Sequence, residues 1–185
     1  MTYLYLAKNA TATVTYIDTT TGSVLHTENL TGMLDTQSSY QTADTIANYV
    51  KKGYVLVSDD YPTSGAIFSE DSANYTVRLA HATDVTAETK TVTQTVHYQD
   101  STGKPLHADT VNTITFTRTK VADQVTGEVT YSDWSSSKGG NTFDVVSVPN
   151  VSGYRPDTTK IQAVMVTPAS ADDVQTVTYS VAESG

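Results

Sequence analysis

The chain contains no cysteine. No disulfide framework, thiolate metal site or thiol nucleophile is therefore available to it. Basic residues are scarce as well: 11 Lys and Arg stand against 20 Asp and Glu, a net charge of −9. A groove for a phosphate backbone needs a basic stripe, so nucleic acid is excluded as a partner. The acidity suits solubility and self-repulsion instead. No apolar run is long enough to cross a bilayer, so no membrane insertion is expected. Met1–Ala7 lacks the basic and long apolar regions of a signal peptide. Leu and Ala are too few to build long helices.

Catalytic and cofactor signatures are missing too. No zinc-protease helix, nucleophile elbow, P-loop or dinucleotide fingerprint occurs. The four histidines, His26, His81, His97 and His107, fall in or beside expected strands without metal-ligand spacing, and read as surface or strand residues. The acidic pairs Asp59-Asp60, Glu70-Asp71 and Asp172-Asp173 do not fit a calcium loop and read as solvated turns. A structural calcium ion thus has no motif behind it, and no cofactor is expected. A Lys–Asn isopeptide staple has no motif either, and intact mass would reveal one. Asn29, Asn74 and Asn150 head glycosylation sequons of a kind that Thr-rich sequence generates by chance. The chain reads as non-enzymatic.

What is abundant is Thr and Ser, more than a quarter of the 185 residues, and Tyr, 12 against three Phe. Thr, Val and Tyr suit a pleated, half-buried surface, so composition favours β structure. An internal repeat organises it. Val14, Tyr16, Asp18, Gly22 and Leu25 match Val96, Tyr98, Asp100, Gly103 and Leu106. The shared pattern is a hairpin. Val and Tyr alternate on one strand face. The Asp bonds its own downstream backbone, and the Gly closes the turn with positive φ. Lys52-Gly53-Tyr54 then matches Ser152-Gly153-Tyr154. A closing strand follows in each half, Tyr75–Leu79 and Val174–Val181.

Two tandem domains are expected, residues 1–85 and 90–185, joined by a short polar linker at Ala82–Lys90. In the first, Tyr40–Lys52 is the one helix candidate. Ile46, Tyr49 and Val50 form its apolar face, Thr42 its cap, and Gly53 its C′ residue. Hairpin, helix and two strands is the order of a β-grasp domain, ubiquitin-like, with one helix on a mixed sheet. In the second, the segment between hairpin and Gly-Tyr is longer. Tyr16 to Tyr54 spans 38 residues, Tyr98 to Tyr154 spans 56. Ile114–Arg118 and Val129–Tyr131 alternate as strands around a turn at Val125-Thr-Gly127. Ser135–Asn141 is a loop, and Thr142–Val148 a returning strand. The second domain is expected to be predominantly β, with an extra hairpin in place of the helix. The fold class is mostly β (α+β).

Aromatic residues are the best pointers to binding. Tyr16, Tyr98 and Phe116 read as core. Tyr3, Tyr5, Tyr61, Tyr131, Trp134 and Tyr154 are either core or a stacking surface, because Trp and Tyr anchor interfaces. For Trp134, at the edge of a Ser/Gly loop, both readings stand. Tyr131, Trp134 and Tyr61 are the candidate ligand-binding residues.

The second half carries Phe116-Thr-Arg118-Thr, Val125-Thr-Gly127, Tyr131-Ser-Asp133-Trp134, Phe143-Asp144 and Gly153-Tyr154, in that order after Tyr98-Gln-Asp100 and Thr102-Gly103. This resembles the B2-type half of the mucus-binding (Mub) repeat of lactobacillal surface proteins. The first half resembles a MucBP-like B1 half. The resemblance implies a module strung in tandem with neighbouring repeats on a cell-wall-anchored extracellular adhesin. It implies adhesion to mucin glycoproteins or glycans and, in some members, binding of immunoglobulins, here through the β-grasp half. It carries over no functional residue. The rival reading is a stalk repeat with no ligand of its own.

Overall fold

The computed structural model of the chain describes residues 8–183. The N-terminal segment Met1–Ala7, with Tyr3 and Tyr5, lies outside the described residues. The chain is mostly β with a single helix among the described residues, and it divides into two compact units. Unit 1 holds the chain up to Val85 and takes back Val121–Thr130; unit 2 holds Thr86–Lys120 and the chain from Tyr131 onward.

Unit 1 contains β1 (Asn9–Asp18), β2 (Val24–Met33), α1 (Ala43–Lys51), β3 (Tyr54–Asp59) and β4 (Ala73–His81). Its sheet has the order β2-β1-β4-β3, with the central β1–β4 pair parallel and the outer pairs antiparallel. Alternate residues of β1, Ala10, Ala12, Val14 and Tyr16, are buried, as are Val77 and Leu79 of β4. Each fully buried Val or Leu contributes about 1.5–3 kcal/mol, so a one-residue slip that turned this face outward is heavily disfavoured.

The helix is shorter than the expected Tyr40–Lys52. Ile46 and Tyr49 pack on the core, but Val50 is half-exposed and lines an open groove. Thr42 occupies the N-cap position with no capping bond; its hydroxyl donates to Asp59 Oδ2 at 2.6 Å. Gly53 ends the helix at φ +103°, as its place in the sequence predicts.

The remaining strands are β5 (Thr83–Asp100), β6 (Pro105–Asp123), β7 (Val129–Tyr131), β8 (Ser135–Ser136), β9 (Thr142–Phe143), β10 (Val146–Ser147), β11 (Tyr154–Pro156), β12 (Lys160–Ile161), β13 (Val164–Met165) and β14 (Asp173–Val181). The path β6-β5-β14-β11 repeats the order β2-β1-β4-β3, again with a parallel central pair. Even the register agrees. Tyr16 faces Val77 across the first parallel pair, and Tyr98 faces Val177 across the second.

Where unit 1 lays a helix on this sheet, unit 2 lays two short ribbons, β9–β13 and β10–β12. Phe143 of β9 packs with Ile114, Phe116 and Val166, and Val146 of β10 packs with Tyr98, Ile161 and Tyr179. The expected strand over Thr142–Val148 is thus broken at Asp144-Val145. The expected linker is instead the first half of β5. Its residues 83–91 are nearly all exposed, which removes the apolar alternation by which a strand is read from sequence.

Candidate functional site

Three hairpin turns in the chain are built alike. At the first, the Asp18 N–H donates to Ser23 O and the Gly22 N–H to Asp18 O. Asp18 Oδ1 accepts the N–H groups of Thr20 (2.9 Å) and Thr21 (3.1 Å). At the second, Asp100 Oδ1 accepts from Thr102 and Lys104 in the same manner. At the third, Asp123 Oδ1 accepts from Val125 (2.8 Å) and Thr126 (3.0 Å), and Gly127 closes the turn at φ +76°. Asp123-Gln-Val-Thr-Gly127 repeats the Asp-x-x-Thr-Gly of residues 18–22. That signal was in the sequence but lay outside the longer Val-x-Tyr-x-Asp pattern.

With Oδ1 used by the turn, Oδ2 is left over, and in unit 1 two such oxygens meet on one imidazole. His81 Nε2 lies 2.6 Å from Asp18 Oδ2, and its Nδ1 lies 2.6 Å from Asp123 Oδ2. The His81 side chain is 5% exposed and that of Asp18 4%. Of the two expected readings, surface or strand, His81 takes the second, as the last residue of β4 with its side chain buried. Two carboxylate oxygens on two ring nitrogens call for a donor at each, so the ring is an imidazolium. The hydrogen bond to Asp123 raises the His81 pKa against the opposing effect of burial, and the bond to Asp18 adds to it. Burial pushes the Asp18 carboxyl up, but the His81 bond and the turn N–H groups outweigh it and hold it below its ordinary value. The His81 bond leads in lowering Asp123 to about 2. The edge of the Tyr54 ring faces the imidazole, centroids 5.4 Å apart. The clasp holds the 121–130 turn in unit 1. It is a structural ion cluster with no open coordination position and no nucleophile.

The other histidines stay at the surface. His26 pairs with Glu28 at 2.8 Å and His97 with Asp109 at 3.0 Å. Two of the acidic pairs prove to be ties rather than free turn residues, while Glu70-Asp71 stays exposed as expected, with Glu70 3.4 Å from Lys8 Nζ at the surface. Asp59 accepts from Thr42 and from the Tyr61 N–H, Asp60 from the Thr76 N–H, and Asp172 from the Thr93 N–H. Among the described residues no group of three metal-ligating side chains forms.

Of the candidate binding residues, Tyr61 is a core residue, 5% exposed, with its hydroxyl accepting the Ala66 N–H at 3.1 Å. Its ring packs edge-on against Tyr40 and Tyr75, and the residue lines the floor of the groove beside α1. Of its two expected readings, core or stacking surface, Tyr61 takes the first. Tyr131 and Trp134 come together around a residue not singled out from sequence. The Arg118 guanidinium lies 3.9 Å from the Tyr131 ring centroid and 4.4 Å from that of Trp134, with Glu88 bonded to its Nε (3.3 Å) and 3.2 Å from a terminal nitrogen. Tyr131 is 49% exposed. Trp134 is half-buried and also packs on the Phe116 cluster, so both readings of it hold in part. The signal for Arg118 was its parity: it follows the buried Ile114 and Phe116 on the same strand face.

Two grooves accompany these features, one in each unit. In unit 1 a groove of about 740 Å³ runs between α1 and β3, with Ile46, Val50, Leu56 and Pro62 on its walls. In unit 2 a groove of about 550 Å³ opens beside Trp134.

A family model described as "Mucin binding domain" matches residues 10–81, and one described as "Muc B2-like domain" matches residues 83–183. Among solved structures, the chain is similar to Mub-RV, at 38% identity and a TM-score of 0.74 over 94% of this chain and all of that one. It is similar to a type 2 repeat of the mucus binding protein MUB from Lactobacillus reuteri, at 28% identity and a TM-score of 0.51, over 94% of this chain and all of the repeat. The mucin-binding domain of a Streptococcus pneumoniae protein aligns with 55% of this chain and 99% of its own length, at 33% identity and a TM-score of 0.50. No curated protein matches the chain. The matches are binding domains, not enzymes.

Proposed function

The chain belongs to the family of Mub repeats built from a mucin-binding (MucBP) domain and a Muc B2-like domain, and on that premise we propose that it is an adhesive repeat of a bacterial surface protein. In this reading it acts outside the cell, beside neighbouring repeats, and binds host mucin glycoproteins through their glycans. The observation that carries the reading is the Tyr131–Arg118–Trp134 stack. It holds two aromatic rings at the surface of unit 2 in fixed orientation, next to a groove. Aromatic residues held in place by their neighbours bind with little ordering cost. Tyr131 and Trp134 are the ligand-contacting residues. The reading needs neither cofactor nor calcium. A single copy binds weakly, and tandem copies raise the avidity.

Immunoglobulin binding is a second reading, favoured by one observation in unit 1. We read unit 1 as a β-grasp domain and residues 1–85 and 90–185 as the two domains of the chain, with the 121–130 turn lent to the first. The edge strand β3 exposes Val55, Leu56 and Val57 in succession, alongside the apolar groove. An exposed edge of that kind accepts an added strand from a partner.

Surface plasmon resonance of the single repeat over immobilised mucin and over IgG tests both readings. We expect micromolar to millimolar binding to mucin, lost on Tyr131→Ala, and binding to IgG lost on Leu56→Lys. Mucin binding that is absent at high micromolar repeat leaves the stalk reading standing.

A further inference from the structure

The outer strand of unit 1 is open where its counterpart in unit 2 is closed. β3 and β11 hold the same place, last in the orders β2-β1-β4-β3 and β6-β5-β14-β11. β11 has only three residues and ends in Pro156, which has no N–H to give an added strand. β3 has six residues and no proline, and Val55, Leu56 and Val57 are 48%, 42% and 57% exposed. Gly53 O accepts the Ala82 N–H at the β4 side. Backbone direction alternates along an antiparallel strand, so the N–H and C=O groups of Tyr54 and Leu56 point away from β4, at the free edge. Charge is placed around this strand in a self-complementary way. Lys51 and Lys52 precede its apolar stretch and Asp59 and Asp60 follow it, all four exposed. Among the described residues none of the four sits in an ion pair. Asp59 and Asp60 accept only from uncharged donors, the Thr42 hydroxyl and the Tyr61 and Thr76 N–H groups.

We propose that β3 pairs antiparallel with β3 of a second copy of this chain, about a two-fold axis at Val55, so that two four-stranded sheets become one. Centred there, Tyr54 of each copy faces Leu56 of the other, and the free backbone groups of both residues satisfy one another. The opposed directions bring the Lys51-Lys52 end of each copy to the Asp59-Asp60 end of the other. A parallel strand would set like charges together instead. The interface is isologous, so every contact, ion pairs included, occurs twice. Opposed residues share a face of the sheet, which keeps both helices on one side. The apolar grooves between α1 and β3, about 740 Å³ in each copy and walled by Val50, Leu56 and Pro62, then lie side by side and shield each other from water. The net charge of −9 repels copies in general, so pairing falls to the one strand where opposite charges are set to meet. The contact is short and therefore weak, and it gains strength where copies are arrayed. This pairing needs neither mucin nor immunoglobulin. It uses the edge that immunoglobulin would also use, so those two partners exclude each other.

Sedimentation equilibrium of the full chain, from micromolar to millimolar, tests the pairing. The expected result is a monomer–dimer equilibrium. Lys52→Glu sets carboxylates against carboxylates at both ends of the seam and should weaken the dimer roughly ten-fold or more. Lys90→Glu changes the net charge equally but lies in unit 2, and should leave the dimer unchanged. Asp60→Asn keeps the acceptor for the Thr76 N–H, removes the charge, and should weaken the dimer by a smaller factor. The chain has no cysteine, so Val55→Cys supplies a single thiol that faces its own copy across the axis, within the span of a disulfide. Oxidation should cross-link Val55→Cys into dimers and leave Val24→Cys, similarly exposed on the opposite edge strand β2, monomeric. All these positions are exposed, so each variant should keep the wild-type thermal transition. A chain that stays monomeric at millimolar concentration overturns the pairing. A dimer that Lys52→Glu leaves intact, or that Lys90→Glu weakens equally, overturns it too, as does cross-linking as fast for Val24→Cys as for Val55→Cys. None of these outcomes bears on mucin binding, which is measured separately.

Discussion

In unit 1 the inner strand β4 ends at His81; in unit 2 the corresponding strand β14 ends at Val181. The correspondence is fixed by pairing. Tyr54 faces His81 and Tyr154 faces Val181, while Gly53 O accepts the Ala82 N–H and Gly153 O accepts the Ala182 N–H, each at 2.9 Å. The same backbone thus carries two different side chains with opposite fates. His81 is buried between Asp18 and Asp123, whereas Val181 is 73% exposed. The equivalent of Asp18 is Asp100, whose carboxylate serves its own turn. The difference shows how a duplicated scaffold acquires asymmetry. One histidine on a shared strand end gives a spare carboxylate oxygen a partner and holds a third turn, residues 123–127, in unit 1.

The largest test of that comparison exchanges the two strand ends. His81→Val leaves the buried Asp18 carboxylate without its cation, which costs about 3–5 kcal/mol. Val181→His, at an exposed position, should change stability by less than about 0.5 kcal/mol. Chemical denaturation of both variants measures the two. The pH profile is a finer form of the same test. The His81 pKa is raised on folding, so its contribution is complete below its unfolded value and fades as pH rises through the folded one. The Asp18 and Asp123 values are lowered, so theirs is complete above the unfolded carboxylate range and fades as pH falls through the folded values, about 2 for Asp123. The clasp is strongest from about pH 4 to 6.5, between the two unfolded values. His81→Val should abolish the loss of stability on the alkaline side of that window, and a profile unchanged by the substitution would refute the clasp.

A second pair of variants separates backbone conformation from packing. Gly53 and Gly153 both have positive φ, +103° and +84°. A Cβ on Gly153 meets nothing, but one on Gly53 would lie 2.2 Å from the Gln124 carbonyl oxygen. Gly153→Ala should therefore cost about 1–2 kcal/mol, the left-handed penalty alone. Gly53→Ala should cost about 2–4 kcal/mol, because the 121–130 segment must also shift. Equal shifts in melting temperature would deny that close approach.

The smallest effect concerns two buried tyrosine hydroxyls. In unit 2 the Tyr179 hydroxyl donates to Pro149 O at 2.6 Å; in unit 1 that of Tyr16 meets the Tyr40 hydroxyl at 2.6 Å. Tyr179→Phe strands a backbone carbonyl and should cost about 1–1.5 kcal/mol. Tyr16→Phe leaves a half-buried hydroxyl with access to water and should cost about 0.5–1 kcal/mol.

Much of this scaffold was legible in the sequence, because its signals are local. Val14, Tyr16, Asp18 and Gly22 specify a strand and its turn through alternation, an Asx bond and a positive φ, all within a dozen residues. Their recurrence at Val96–Gly103 announced a second unit, and Ile46 and Tyr49 marked the helix face. Of the binding candidates, Tyr131 and Trp134 were picked out by residue type alone, and the structure brings them together on Arg118. For Tyr61 the choice between core and surface was not legible, since whether a tyrosine in a polar loop faces in or out depends on what the loop folds over; the structure buries it.

The sequence by itself determined the core-facing strands, the repeated turns and the doubling of the sheet, since each follows from the order of neighbouring side chains. Only the tertiary structure decided which distant groups meet. Asp18, His81 and Asp123 are separated by 63 and 42 residues along the chain, and no periodicity links them. Arg118, Tyr131 and Trp134 are closer in sequence, but their stacking depends on how β6 and β7 pair. Burial of His81 follows from the same contacts. A side chain enters a low-dielectric site only when its partners arrive with it, and their arrival is a property of the fold.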